Sequence, residues 1–514
     1  MTMSRSALRR VLIVNCYFPE TREPIRLPGE VPNALAPVLL AGAFARERCD
    51  VAIHNEVSDG FLEIYRPELL CWPELVVLSG LSAAFDRMLH LTAYLRTQNP
   101  GVRIAAGGLA IRSLPKYAQR FFDYVCEGDV EQIVPVIEDA LGRDCVAELS
   151  TPRYDLAHWI GRGISYAESS RNCNFRCGFC SVTAHGARYR ALDAEHLRRQ
   201  ILAMGHRRIV LIGDNQFHGG TQPSFRERVE LLRELRAERR FDHWAAFVTD
   251  AFFWDERNLE LARESGCFAL FVGVESFDAE WLRKMNKTVN SRRSQVELIQ
   301  RCLEHGILFQ YGLVFDPTER RIADVQREIA TICADSRVPL PNFIFLSIPL
   351  PGTPFFRECW KQGRILPHTK MRDLEGSTLS LRSLDAAEDV ARFLGTAKNL
   401  HGFRAKALAH QARHLWRYRG SLSAAQILVS SITMASLLAP QFTSNPRTLL
   451  ARRRPRTHIS TTDRLDDVYT PRLRVAPQYL EHFVPTWITD AQGQLNPALA
   501  DDLLAQREPG RAAG

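Results

Sequence analysis

The 514-residue chain has 46% apolar and 24% charged side chains, the composition of a globular protein long enough to bury more than one core. Its net charge of +8 is local: ten Lys or Arg and no Asp or Glu lie between Phe403 and His458, so the remainder is slightly acidic and no general polyanion-binding surface or nucleic-acid partner is implied. No charged-then-apolar leader precedes the first strand-like run, and the twelve cysteines form no paired framework. Both features point to a reducing, cytoplasmic location and away from disulfides.

From Arg10 to Leu141 the apolar runs "VLIVN", "VAIHNEV", "LVVLSG", "VRIAAGG" and "YVCEGD" alternate with segments of helical period. This α/β pattern predicts a doubly wound parallel sheet over a first domain, residues 1–150. Ligands of such sheets sit beyond the carboxyl ends of the strands. Small residues occupy those ends here: Ser79, Gly80 and Ser82, then Gly107 and Gly108, then Gly128 after Glu127. They either admit a bulky ligand to the backbone or simply turn the chain.

A second domain, 151–380, opens after "LSTPRYDLAHW". Its strand-like runs are "GISYAES", "RIVLIGD", "WAAFVTD", "FALFVGVES", "ILFQYGLVFD" and "FIFLSIPLP", separated by helix-like segments. Six β/α units in a row predict a partial barrel with its chemistry at the strand carboxyl ends. Those ends carry the segment "RNCNFRCGFC", Asp214 with Asn215, Asp250, Glu275 with Ser276, and Asp316.

"RNCNFRCGFC" places Cys173, Cys177 and Cys180 in one short loop. Several thiolates together select zinc or an iron–sulfur cluster over hard cations. Structural zinc takes four protein ligands, and the fourth would have to be His185. A four-iron cluster on three cysteines instead leaves one iron open to an outside molecule.

The spacing and the aromatic Phe179 resemble the CxxxCxφC signature of radical S-adenosylmethionine (SAM) enzymes. That resemblance implies a 4Fe-4S cluster on the three cysteines whose open iron chelates SAM and cleaves it to a 5′-deoxyadenosyl radical. "LIGDNQF" resembles the family's second-strand segment, with Asp214 and Asn215 near the methionine amino group. "FVGVESFDAEWLRKMNK" resembles the fourth, with Glu275 and Ser276 near the ribose. "YGLVFD" and "PLPGTPFF" resemble the fifth and sixth, and Gly312 would let backbone approach the adenine.

The first domain ahead of this barrel resembles the cobalamin-binding module of class B radical SAM enzymes. The positions that would cradle cobalamin are Ser79, Gly80, Leu81, Ser82, Gly107, Gly108, Glu127 and Gly128. "VNCYFPETREP" lacks the Asp-x-His-x-x-Gly segment that supplies a lower cobalt ligand in many cobalamin proteins, and "SRNC" stands where "RGC" is common.

Beyond residue 380 the pattern turns helical and then irregular, a third region (381–514) that is a candidate active-site cap containing Trp416 and Trp487. In "SLSAAQILVSSITMASLLAP", Ser423, Gln426, Ser430 and Thr433 recur at three- and four-residue steps and leave Ala425, Leu428, Ile432 and Ala435 on another face. This predicts an amphipathic helix packed on the barrel in preference to a membrane span. Arg413, Arg417 and Arg419 before it and "RRRPR" after it are expected to form a solvated basic face, with membrane-surface association the less favoured alternative.

The resemblance implies a cobalamin-dependent radical methyltransferase acting on an unactivated carbon of a small molecule such as a natural product, pigment or lipid. A flavodoxin or ferredoxin-type protein would supply electrons. A class B enzyme performing oxidative cyclisation or rearrangement, and a zinc or iron–sulfur electron-transfer protein, are the alternatives.

Overall fold

The computed structural model describes residues 8–18, 35–158, 163–184, 188–219, 221–291, 293–397, 403–438, 458–462 and 468–505. His185, "RRRPR" at 452–456 and the part of "VNCYFPETREP" after Phe18 lie outside them.

The first sheet contains β1 (Arg9–Asn15), β2 (Cys49–Asn55), β3 (Leu75–Ser79), β4 (Arg103–Gly107) and β5 (Tyr124–Val125). All five are parallel, in the order β2-β1-β3-β4-β5, and they match the five predicted runs. Because β1 pairs with both β2 and β3, the winding reverses there. Asn15 then stands in register with Ser79, and Ser79 with Gly107, so the small residues share one sheet edge.

The two-residue period of β1 sends its side chains to two cores. Val11 and Ile13 join the cluster continuous with the second domain. Leu12 and Val14 join one built on helix Phe85–Gln98, with Phe483, Ile488 and Leu499 from the far end of the chain.

The second sheet contains β6 (Ile164–Ala167), β7 (Arg207–Ile212), β8 (Phe241–Val248), β9 (Cys267–Glu275), β10 (Leu308–Phe315) and β11 (Ile344–Leu346). They are parallel and in sequence order, and each overlaps a predicted run. The sheet is a curled half-barrel. Trp244, Ala246 and Val248 of β8 are buried in the core, whereas Ala245 and Phe247 between them are half-buried toward the concave side.

The third region divides. Helix Ala424–Leu438 sits at the amino ends of β9 and β10, where Gln426 Nε2 donates to the carbonyls of Phe268 (2.8 Å) and Gly306 (2.9 Å), and helix Arg404–Tyr418 packs beside it on residues 333–337, ahead of β11. The expected cap belongs at the opposite, carboxyl ends. The second helix also faces inward with its polar stripe: Gln426 is 4% exposed and Leu428 59% exposed, because the open carbonyls at the barrel floor need donors.

Residues 468–505 lie against the first domain. Tyr469 Oη and the Thr486 amide donate to Asp86 (3.0 and 3.1 Å), and the amides of Lys116 and Tyr117 donate to Asp502 (3.1 and 2.9 Å). No described helix is long and apolar enough to cross a membrane, and all twelve cysteines are free thiols.

Candidate active site

The cysteine loop begins where β6 ends and is anchored on several sides. Asp214, buried at the end of β7, accepts from the Ser169 amide (2.7 Å), Ser169 Oγ (2.6 Å) and Ser170 Oγ (2.8 Å). Burial raises its carboxyl above the ordinary aspartate range, with these donors opposing. Across the loop, the Gly178 amide donates to the Met285 carbonyl (2.9 Å), the Phe355 amide to the Gly178 carbonyl (3.0 Å) and Asn286 Nδ2 to the Arg176 carbonyl (2.7 Å).

Cys173, Cys177 and Cys180 are half-buried. Burial pushes the Cys177 thiol up to about 11; the Lys287 ammonium opposes this, while charge on Cys180 and Cys173 adds to it. Among the described residues, no three His, Cys, Asp or Glu side chains are arranged to hold a single metal ion. Three thiols of one short loop beside an ammonium suit a thiolate-bound cluster.

Lys287 is the main charge beneath this loop. Its Nζ lies 2.6 Å from Glu275 Oε1 and 5.8 Å from the Phe179 ring centre, and the Phe179 ring stacks on Trp281 at 6.3 Å. Burial disfavours its ammonium, but Glu275 and Cys177 raise its pKa. Glu275 holds a left-handed backbone (φ 61°) at a register shift between β9 and β10. Such conformations in non-glycine residues gather at functional sites. Nearby, Asp250 is pushed up to about 7 by burial; it accepts from Gln295, and its Oδ1 is buried without a hydrogen-bond partner.

Two predicted positions serve the protein interior. Ser276 Oγ donates to Glu328 (2.8 Å) and accepts from Arg320 (3.2 Å), which itself pairs with Glu328 at 2.6 Å. At Gly312, an added Cβ would stand 2.1 Å from Phe343 Cε2, so the missing side chain makes room for that ring.

A cavity of about 270 Å³ lies between the carboxyl ends of the two sheets. Ser79, Gly107, Gly108 and Gly128 line it from the first domain, and Asn215 joins them from the second. Gly80, Leu81, Ser82 and Glu127 are not in its wall, although Leu81 is 67% exposed and Ser82 bonds Ser113 Oγ at 3.0 Å. Gly108 has φ 85°, and a Cβ there would meet the Gly80 carbonyl at 2.8 Å; glycine lets the two loops touch.

Charged residues absent from the sequence expectation close the junction. Arg171, which immediately precedes the cysteine loop, pairs with Glu168 (2.6 Å) and, across the domains, with Glu131. Arg190 also crosses to Glu131 at 3.2 Å, and Arg112 and Asp129, both of the first domain, pair at 2.9 Å on its side of the cavity. Arg171 and Lys287 both stood in segments that the resemblance singled out, "SRNC" and "WLRKMNK". Arg171 finds Glu131 40 residues away, and although Glu275 and Lys287 stand in one segment, 12 residues apart, nothing in its pattern marked them as a pair.

A model of the radical SAM superfamily matches residues 168–328. The chain carries a radical SAM domain. That domain contains the cysteine loop, Asp214, Glu275 and Lys287. An uncharacterized methyltransferase of Synechocystis sp. is 25% identical over 343 residues, 62% of this chain and 62% of that protein. Bacteriochlorophyllide d C-12(1)-methyltransferase of Chlorobaculum tepidum is 26% identical over 195 residues, 37% of this chain and 41% of that one. Hopanoid C-3 methylase of Methylococcus capsulatus is 26% identical over 214 residues, 40% and 36%. The chain thus spans less than two thirds of these relatives' lengths. The solved cobalamin-dependent SAM radical enzyme OxsB, with aqua-cobalamin and SAM bound, has a TM-score of 0.56 at 15% identity over 86% of this chain and 74% of that one. This is a likeness of fold, and its extent takes in both sheets around the radical SAM domain.

Proposed function

We propose that the protein is a cobalamin-dependent radical SAM methyltransferase that methylates an unactivated carbon of an apolar small molecule. The observation that carries this reading is the convergence of the two sheets: a glycine-lined cavity of the first domain opens beside the loop that presents Cys173, Cys177 and Cys180. When bound, the 4Fe-4S cluster would supply the electron that cleaves SAM, and cobalamin would supply the methyl group.

The chain's own residues have distinct tasks in this reading. Cys173, Cys177 and Cys180 ligate the cluster as thiolates, and Lys287 favours the charged form of Cys173 and Cys177. Phe179, Asn215 and Glu275 border the SAM position, Asp214 fixes the loop from beneath, and Ser276 and Gly312 support it through packing. Ser79, Gly107, Gly108 and Gly128 bring backbone to the cobalamin, while Gly80, Leu81, Ser82 and Glu127 surround the same sheet edge. The ion pairs of Arg171 hold the junction shut against water.

Aromatic rings on the concave face support an apolar substrate. Phe271 stacks on Phe343 at 5.8 Å and Phe343 on Phe345 at 4.4 Å, with Phe345 exposed. The relatives named for bacteriochlorophyllide and hopanoid methylation support the same class. An electron donor of flavodoxin or ferredoxin type completes the proposal.

The test is anaerobic reconstitution with iron, sulfide and hydroxocobalamin, then reaction with SAM, a reductant and a polycyclic terpenoid or chlorin. Bound cobalt, a product heavier by one methylene, and both S-adenosylhomocysteine and 5′-deoxyadenosine are expected. Formation of 5′-deoxyadenosine alone rejects methyl transfer, and failure to retain cobalt rejects the cobalamin site.

A further inference from the structure

The acid-free stretch after Phe403 takes no part in the site described above. Its first helix, Arg404–Tyr418, buries Ala407, His410, Gln411, His414 and Tyr418 against the protein. The opposite side is unusual for a surface helix, because it is apolar along its middle. Leu408 is 48% exposed and Trp416 66% exposed, and Ala405, Ala409 and Ala412 are exposed too.

At about 100° per residue these five side chains form one strip, bordered by Arg404 on one edge and by Arg413, Lys406 and Arg417 on the other. Arg419 stacks on Trp416 at 3.9 Å. Arg413 and Arg417 donate to neutral groups, the Cys333 carbonyl and Ser336 Oγ, both at 3.1 Å. The second helix, Ala424–Leu438, repeats the inversion: Gln426 points inward while Ala425 and Leu428 point outward. Gln411 joins the two helices by donating to Ser430 Oγ at 2.9 Å.

An apolar strip flanked by cations, with an aromatic side chain of mixed character at its end, fits the boundary between lipid headgroups and acyl chains. A second copy of the chain would bring like charges together, and a nucleic acid would have no use for the exposed leucine and indole. We propose that helix Arg404–Tyr418 lies along the surface of an anionic lipid bilayer, with Leu408 and Trp416 entering the acyl boundary and the five Lys and Arg between 404 and 419 meeting the headgroups. This surface function is independent of the chemistry at the barrel mouth.

The test uses the full chain and vesicles of phosphatidylglycerol and phosphatidylcholine, about 1:3. Wild type is expected to cosediment with them, to release several-fold on raising the salt, and to bind pure phosphatidylcholine at least roughly tenfold more weakly. The double variant Leu408→Glu, Trp416→Glu is expected to lose about tenfold or more in binding. Trp416→Phe, which preserves the apolar strip, should still bind; brominated acyl chains should quench wild-type tryptophan emission more than that of this variant. Undiminished binding by the folded double variant, equal quenching of wild type and Trp416→Phe, or equal binding to neutral vesicles overturns the proposal. So does a failure of wild type to bind anionic vesicles accompanied by dimerisation that the double variant abolishes.

Discussion

The Lys287 ammonium lies 2.6 Å from Glu275 Oε1 in space that residue 273 leaves open by being glycine. A Cβ at 273 would stand 2.7 Å from Nζ and 2.9 Å from Oε1. Gly273→Ala is therefore expected to part the ion pair and cost about 1–3 kcal/mol in urea unfolding. Lys287→Met, which leaves Glu275 without its partner, should cost roughly 2–4 kcal/mol and also weaken SAM retention in equilibrium dialysis. Unchanged stability and SAM binding in both variants would show the pair to be incidental.

Asp250 gives the fold a pH dependence of predictable sign. Burial raises its carboxyl from 3.8 to about 7, so the folded state holds this proton more tightly than the unfolded chain. Its stabilising contribution is full below about pH 4 and declines as pH rises to about 7, by at most about 1.4 kcal/mol per unit. Asp250→Asn should remove that slope, so the variant gains on wild type between pH 4 and 7 and by a constant amount above it. Urea midpoints measured at successive pH values give the comparison, and parallel profiles would contradict it.

Arg171 ties the cysteine loop to the first domain through Glu168 and Glu131. Arg171→Ala leaves Glu168, which is mostly buried, short of its main partner and should cost on the order of 2–4 kcal/mol. Faster proteolysis between the domains and lower cobalt retention are expected, with native secondary structure by circular dichroism. A variant that resists protease like wild type would place no mechanical role on this contact.

Asp214 and Cys177 separate positioning from ligation. Asp214→Asn keeps the shape but loses charge opposite the donors of Ser169 and Ser170, and should lower iron retention partially. Cys177→Ala should abolish the cluster, read as iron and sulfide per chain after reconstitution. Full iron in Cys177→Ala would remove the cysteine from the ligand set.

The strands and the cysteine loop were legible because they rest on local pattern. Each of the eleven strands of the two large sheets overlaps a predicted run, since a buried parallel strand must be a short apolar segment bounded by turns. The loop was legible because three thiols within eight residues restrict the chemistry wherever they are placed. Arg171 with Glu131, Lys287 with Glu275, and Arg112 with Asp129 were not legible. The pairing in each case depends on how the backbone folds between the two residues, which the local pattern does not state.

The third region shows the same division. Its sequence determined that residues 424–438 would be helical and two-sided, because period and composition are properties of the chain itself. Only the tertiary structure decided which side faces in. The carbonyls of Phe268 and Gly306 at the barrel floor require donors, so Gln426 turns toward them and Leu428 turns outward. Sequence alone thus specified the two sheets and the three thiols. The convergence of both sheet edges on one cavity, and the outward apolar strip at the other end of the barrel, arise from packing between segments far apart in the chain.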